Sequence, residues 1–314
     1  MVKLVVRRLL IAVPLIVAVS FALFVLMRLV PGDAAATIAG DRATPRVLEQ
    51  VRARLGIDRP LHEQYFSWLG KAVRGDLGTS LFNSQPVARS IKDRLPATLS
   101  LTVAGMTVAI VLGVTAGMVA AQRAGSLADR LITATASLGL AVPTFWLGLL
   151  LIVTFTFRLE WLPPTGYSRF GDGVADWLRS ITMPAIALGV PAASVLARQT
   201  RSALLDVMQR DFIRAARARG ASRTSVMLKH GLKNAAAPIA TVLALELISM
   251  LGGSVIIEAL FNIAGLGDLT IGAVQERDLP VIQGVVMVVA IFVVLANLAV
   301  DIVYGYVNPR GRQG

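Results

Sequence analysis

Cysteine is absent from the whole chain, and histidine occurs only at His62 and His230, far apart in sequence. Disulfides and thiolate metal sites are thereby excluded, and two distant histidines make a poor metal centre. Charged residues are scarce at 16%, whereas hydrophobic residues reach 55% with a mean hydropathy of +0.68 over 314 residues. A soluble domain of that size cannot hide so much apolar surface, so the chain buries it in lipid. Catalytic signatures are missing as well. There is no GxxxxGK[ST]: Gly70 and Lys71 are followed by Ala72, and Tyr65 stands where the first glycine belongs. HExxH, GxSxG and paired His/Cys spacings are also lacking. The chain is therefore read as a non-enzyme that binds no cofactor of its own, and uphill pumping requires an ATPase partner.

What is present is basic and unevenly spread. A net charge of +12 would point to nucleic acid in a soluble protein, but here the distribution decides, and no nucleic-acid partner is expected. Between Arg198 and Lys233 nine Lys/Arg face two Asp, whereas Phe261 to Pro280 holds Asp268, Glu276 and Asp278 against Arg277. Positive loops stay cytoplasmic, so this asymmetry is a topology signal.

Six apolar runs are long enough, or nearly so, to span: Leu9 to Val30, Ala97 to Ala121, Leu131 to Phe157, Ile181 to Ala197, Ile239 to Ile257 and Val281 to Val303. Lys3, Arg7 and Arg8 hold the first start inside; Arg123 and Arg130 mark a short cytoplasmic loop. Balanced charge with Trp161, Pro163, Pro164 and Tyr167 suits an external loop from Arg158 to Ser180. The expected fold is an all-α multi-pass membrane protein of six transmembrane helices with both termini cytoplasmic. Residues 1–96 form an N-terminal span and a long external segment, and 97–314 a five-helix core. A cleaved signal peptide also fits the basic head and Ala34 to Ala36, but the apolar run exceeds a typical signal core.

Several positions carry more than hydropathy. In the external segment, where ten Lys/Arg stand against seven Asp/Glu, Leu61, Tyr65, Trp68 and Leu69 make a short amphipathic helix for the membrane surface or a neighbouring subunit. Gly105, Gly113 and Gly117 allow close helix contact in the second span. Pro143 frees a carbonyl and kinks the third. Glu246 lies in the middle of the fifth, with Gly252 and Gly253 following and Glu258 near the outer end. A carboxylate at that depth either lines a path and attracts a cationic group, or bonds across helices. Pro143, Glu246, Gly252 and Gly253 are the candidates for a translocation path. An ion-coupled transporter working alone, with Glu246 as its cation site, is the rival class.

The polar stretch 199–238 interrupts the apolar C-terminal half. Leu204, Val207, Met208, Phe212 and Ala216 recur at steps of three and four, giving one apolar helical face, with Arg201, Arg210, Arg214 and Arg217 elsewhere. Gly220 can stop that helix, and Ser222 can cap a second, short helix running toward His230. Such a pair can dock into a cleft of a soluble partner. A solvated loop whose arginines merely hold it in the cytoplasm is the plain alternative.

Ala215, Ala216 and Gly220, with Lys229, His230, Gly231 and Leu232 beyond, resemble the EAA loop of the inner-membrane subunits of binding-protein-dependent ABC importers. DFIRAARARG followed by LKHGLKNAAAP is similar to the dipeptide and oligopeptide permeases in particular, with Arg214 replacing the glutamate that names the motif. The likeness extends to GDLGTS at Gly75 to Ser80, to AVPTFWLG and to FNIAGLGDL. It implies a type I importer permease fold in the cell (inner) membrane. It also implies a coupling helix seated in an ATPase groove, with Arg214, Ala215, Ala216, Gly220, Ala221, Ser222, Lys229, His230 and Leu232 as coupling residues. The implied partners are a homologous second permease, two ATPase subunits or domains that hold ATP and Mg, and an external solute-binding protein. The implied cargo is a peptide, or alternatively nickel, glutathione or another small solute.

Overall fold

The computed structural model describes residues 2–29, 44–55 and 58–307. Val30, Ala34 to Ala36, Gly56 and the basic tail from residue 308 lie outside the described residues. Among those described, the chain is helical, and extended pairing is limited to the single bridge Thr79–Pro86. In chain order the helices are α1 (Val2–Leu29), α2 (Pro45–Leu55), α3 (Leu61–Ala72), α4 (Val87–Gln122), α5 (Leu127–Ala141) and α6 (Thr144–Leu151). They continue with α7 (Val174–Met208), α8 (Asp211–Ala218), α9 (Arg223–Leu260), α10 (Leu266–Glu276) and α11 (Leu279–Val307).

Among the described residues four helices are long and apolar enough to cross a membrane: α4, α7, α9 and Leu279–Ala299 of α11. The third expected span is broken. Val142 and Pro143 leave the helical region (ψ 121° and 137°), and α6, extended by a π-helical turn Ile152–Arg158, departs from α5 at 101°. Proline removes an N–H and forces the preceding residue toward extended geometry, so the expected kink is a full break. The first expected span lies in the continuous helix α1, and Leu10–Leu26, its stretch with described side chains, is apolar.

The chain divides into two compact units. One comprises residues 1–5, 96–267 and 293–314; the other comprises 6–95 and 268–292. The first is built around α7, whose apolar stretch is 72% buried within the chain against 28% for each of the other three. Helices α9, α5 and α6 all pack on it. α4 joins through its glycines: a Cβ on Gly113 or Gly117 would lie 2.6 Å from the carbonyl oxygen of Ala193 or Ala197. The glycine contact expected of this helix is thus made, and only a missing side chain permits it. The fourth span corrects the shorter one expected. It is a 35-residue helix that runs past Ala197 to Met208, because Thr200, Ala203, Leu204 and Val207 keep the buried face going beneath the arginines.

In the second unit, α3 carries the predicted amphipathic pattern, but its anchor is the chain's own α1 rather than a neighbour. Tyr65 is buried there, its hydroxyl 2.8 Å from Ser20 Oγ and 3.1 Å from the Val17 carbonyl, with Phe21 and Phe24 edge-on to its ring. Ser80 donates to the buried Asp278, which also accepts from the Leu81 N–H at 3.2 Å. Gly284 of α11 presses on Val87 and Ile91 of α4.

Candidate functional site: the basic helical hairpin

The basic stretch folds differently from one continuous amphipathic helix. α7 ends at Met208, and Arg210 (φ −75°, ψ 150°) starts α8 anew. The break resets the helical phase. Ile213, fully buried, takes the inward place expected of Phe212, which is 40% exposed, while Ala216 points inward as expected. Ile213 was missed because the spacing rule was carried across a boundary that periodicity alone does not show.

α8 closes in a Schellman turn. Gly220 N–H donates to Arg217 O at 2.9 Å, Ala221 N–H donates to Ala216 O at 3.3 Å, and Gly220 has φ +83°. Ala216 is thus both core and turn, Ala221 the half-buried residue beyond it, and Gly220 the left-handed position that suits glycine. Ser222 Oγ then accepts from the Ser225 N–H at 3.3 Å, the expected N-cap. The short second helix is corrected, however. It does not end near His230 but runs through a π-helical turn, Val226–Leu232, into one helix reaching Leu260. Val226 and Met227 are buried under α8 beside Leu204 and Val207. Gly231 leaves room for Met208, whose Cε would lie 2.6 Å from a Cβ there.

Phe212 and Leu228 of this hairpin are exposed, as are Arg210, Arg214, Arg217, Arg219, Arg223 and Lys229. Ala215 and Ser222 are also exposed, and His230 and Leu232 half-buried. Arg214 pairs with Asp211 at 3.1 Å, but both are so exposed that solvent screens the pair. Arg201, grouped with the polar arginines by periodicity, has a different task. It grips Asp129 of α5 with two hydrogen bonds of 2.5 and 2.8 Å, and Asp129 also accepts from the Gly125 N–H at 2.9 Å. Asp129 is 3% exposed and Arg201 only partly buried, so the N-terminal end of α5 is clamped to α7 by a half-buried ion pair.

The path candidates lie elsewhere in the same unit. Pro143 is exposed at the α5–α6 break. On α9, Leu245, Ser249, Gly252 and Ile256 form an open stripe at helical spacing. Glu246 is half-buried along its edge, and Gly253 turns toward Leu188 of α7. Glu258, noted only for its position, is fully buried. It accepts from Thr98 Oγ1 and from the Gly267 N–H, each at 2.7 Å, while Thr98 Oγ1 accepts from the Leu266 N–H at 2.8 Å. Among the described residues no cluster of three His, Cys, Asp or Glu is placed to hold a metal ion.

Family models match both parts of the chain. Residues 113–313 match the binding-protein-dependent transport system inner membrane component, and residues 1–102 match the N-terminal membrane component of the same systems. The chain belongs to this family of inner-membrane transport components. Among its relatives, a Sinorhizobium fredii protein named as a probable peptide ABC transporter permease is 39% identical over 98% of both chains. The glutathione transport system permease GsiC of Escherichia coli K12 is 40% identical over 99% of both. Among solved structures, the inward-facing methionine ABC transporter MetNI aligns with 69% of this chain and 95% of its own, at a TM-score of 0.57 and 21% identity. That likeness shows the type I permease fold. The stretch bearing the basic hairpin, the α5–α6 break and Glu246 all falls within the inner-membrane component match.

Proposed function

We propose that the chain is the transmembrane permease subunit of an ATP-driven importer of peptides, and that the hairpin from α8 to the π-helical turn of α9 is its coupling element. The observation that carries this reading is a packed hairpin, held by Ile213, Ala216, Val226 and Met227, that leaves Phe212 and Leu228 exposed together with six Arg and Lys side chains. Apolar area gives affinity for a cleft, and the charges set orientation. The coupling residues are Arg214, Ala215, Ala216, Gly220, Ala221, Ser222, Lys229, His230 and Leu232. The chain crosses the membrane six times with both ends inside. Residues 1–96 supply the first span and an external segment, and 97–314 supply the permease core with its loop 199–238.

In the working complex a homologous second permease completes the pathway. Two ATPase subunits or domains bind ATP and Mg, and an external solute-binding protein delivers cargo. ATP must favour one global state over the other, and the hairpin transmits that difference to the cavity. This chain contributes no catalytic group. Pro143, Glu246, Gly252 and Gly253 flank the pathway, with Glu246 placed to attract a peptide's amino group. The glutathione relative supports a second reading within the class, in which the cargo is a small modified peptide.

The test is a pull-down of the tagged chain in mild detergent with its genomic neighbours co-expressed, followed by ATPase assay. A P-loop subunit should co-purify, and the binding protein should stimulate hydrolysis. Failure to recover any ATPase would overturn the reading and favour a stand-alone ion-coupled transporter. Glu246→Gln should lower peptide uptake while leaving assembly intact. Unchanged uptake would reduce Glu246 to a packing role.

A further inference from the structure

The unit built around α7 carries an open cavity of about 810 Å³ along the α4–α7 pair, bounded on α4 by Pro96 to Val108 and on α7 by Trp177 to Ile186. Trp177 Nε1 donates to Ser100 Oγ at 2.6 Å, and Gly189 abuts Val108, so the two helices run parallel and the groove has distinct ends. The α4 wall is roughly 18 Å long at about 1.5 Å per residue. One leaflet, half of a hydrocarbon core of about 30 Å, has nearly that depth.

Polarity that the two helices do not satisfy within themselves gathers at one end. Thr107 and Thr182 lie along the walls, but their hydroxyls donate to the Val103 and Leu178 carbonyls of their own helices, at 2.8 and 2.5 Å. Ser100 is satisfied by Trp177. At the same end stand Tyr167 and Arg169, and Arg169 is exposed and makes no ion pair among the described residues. Aromatic rings beside an apolar slot mark a membrane interface. An unpaired guanidinium there suits a phosphate.

We propose that this groove binds one anionic phospholipid, its acyl chain along the α4–α7 walls and its phosphate on Arg169. A peptide lying there would leave its backbone amides unsatisfied along the apolar walls, which disfavours cargo. The assignment to the outer leaflet rests on the six-span topology proposed above; the assignment to lipid does not.

The assembled transporter, reconstituted in phosphatidylcholine nanodiscs containing acyl-brominated phosphatidylglycerol, tests the site through Trp177. The emission of Trp177 is isolated by difference from a Trp177→Phe variant. Brominated phosphatidylglycerol should quench it several-fold more than an equal amount of brominated phosphatidylcholine. Arg169→Gln should abolish that preference, and Ala104→Phe, which fills the groove, should reduce quenching by both lipids. Equal quenching by the two lipids, or a preference that survives Arg169→Gln, overturns the headgroup assignment. Absence of quenching overturns the site in favour of a protein partner seated there, and release of the quencher by added dipeptide overturns it in favour of cargo. Gly171→Cys, the only thiol in the chain, reads the side separately. Labelling of intact cells by an impermeant maleimide supports the outer leaflet, and labelling only in inverted vesicles overturns the leaflet and the topology while leaving the lipid assignment to the quenching result.

Discussion

Gly220 combines a left-handed φ of +83° with open space around its missing Cβ. A substitution there acts through the backbone, not through a clash. An L residue at such a φ costs about 1–2 kcal/mol, more when β-branched, and asparagine tolerates it best. Gly220→Val should therefore lose binding-protein-stimulated ATP hydrolysis while still inserting in the membrane, and Gly220→Asn should keep most of it. Equal loss in both variants would count against a turn-based role. Glu258 presents the opposite situation, a fully buried carboxylate against which a Cβ on Gly265 would lie 2.4 Å away. Glu258→Ala leaves the Gly267 N–H and the Thr98 hydroxyl without this acceptor, which should cost roughly 2–4 kcal/mol. Thermal unfolding of the purified complex in detergent measures that loss, and an unchanged midpoint would mean that water replaces the carboxylate.

Helix pairing supplies a second set of expectations. α4 meets α7 through Gly113 and Gly117, where an added Cβ would collide with backbone oxygen, whereas Gly252 of α9 has nothing within 4 Å. Gly113→Leu should abolish assembly, judged by recovery of monodisperse protein, and Gly252→Ala should leave assembly unchanged. The α5–α7 clamp is electrostatic. Removing Arg201 alone leaves Asp129 with the Gly125 N–H but without its guanidinium partner and should destabilise by about 1–3 kcal/mol, since the pair is partly open to solvent, whereas replacing both members with apolar residues should recover much of the loss. A double-mutant cycle of unfolding midpoints gives the coupling directly. Additive losses would show that the pair contributes little beyond its separate contacts.

For the molecule in its membrane, the absence of cysteine makes topology directly measurable, since any introduced thiol is unique. Cysteine at exposed Phe82 should react with an impermeant maleimide added to intact cells, and cysteine at exposed Ser222 only after the inner face is opened. The reverse pattern would invert the orientation and remove the hairpin from any cytoplasmic ATPase.

Composition and charge asymmetry were enough to establish a helical membrane protein with a basic face, because burial of apolar surface and loop charge are sums over residues that need no coordinates. Gly220, Ser222 and the glycines of α4 were likewise legible, since caps and close contacts depend on a few neighbouring residues. The tertiary structure alone decided the rest. Whether Phe212 or Ile213 turns inward depended on a break at Arg210 that helical spacing does not encode. The pairing of Arg201 with Asp129 and of Glu258 with Thr98 joins residues 72 and 160 positions apart, and local pattern has no reach over such distances. The fate of Pro143 was partly readable. Proline made a kink expected, but the 101° between its two half-helices was settled by what they pack against, Gly139 on Ser194 and Gly148 on Leu260.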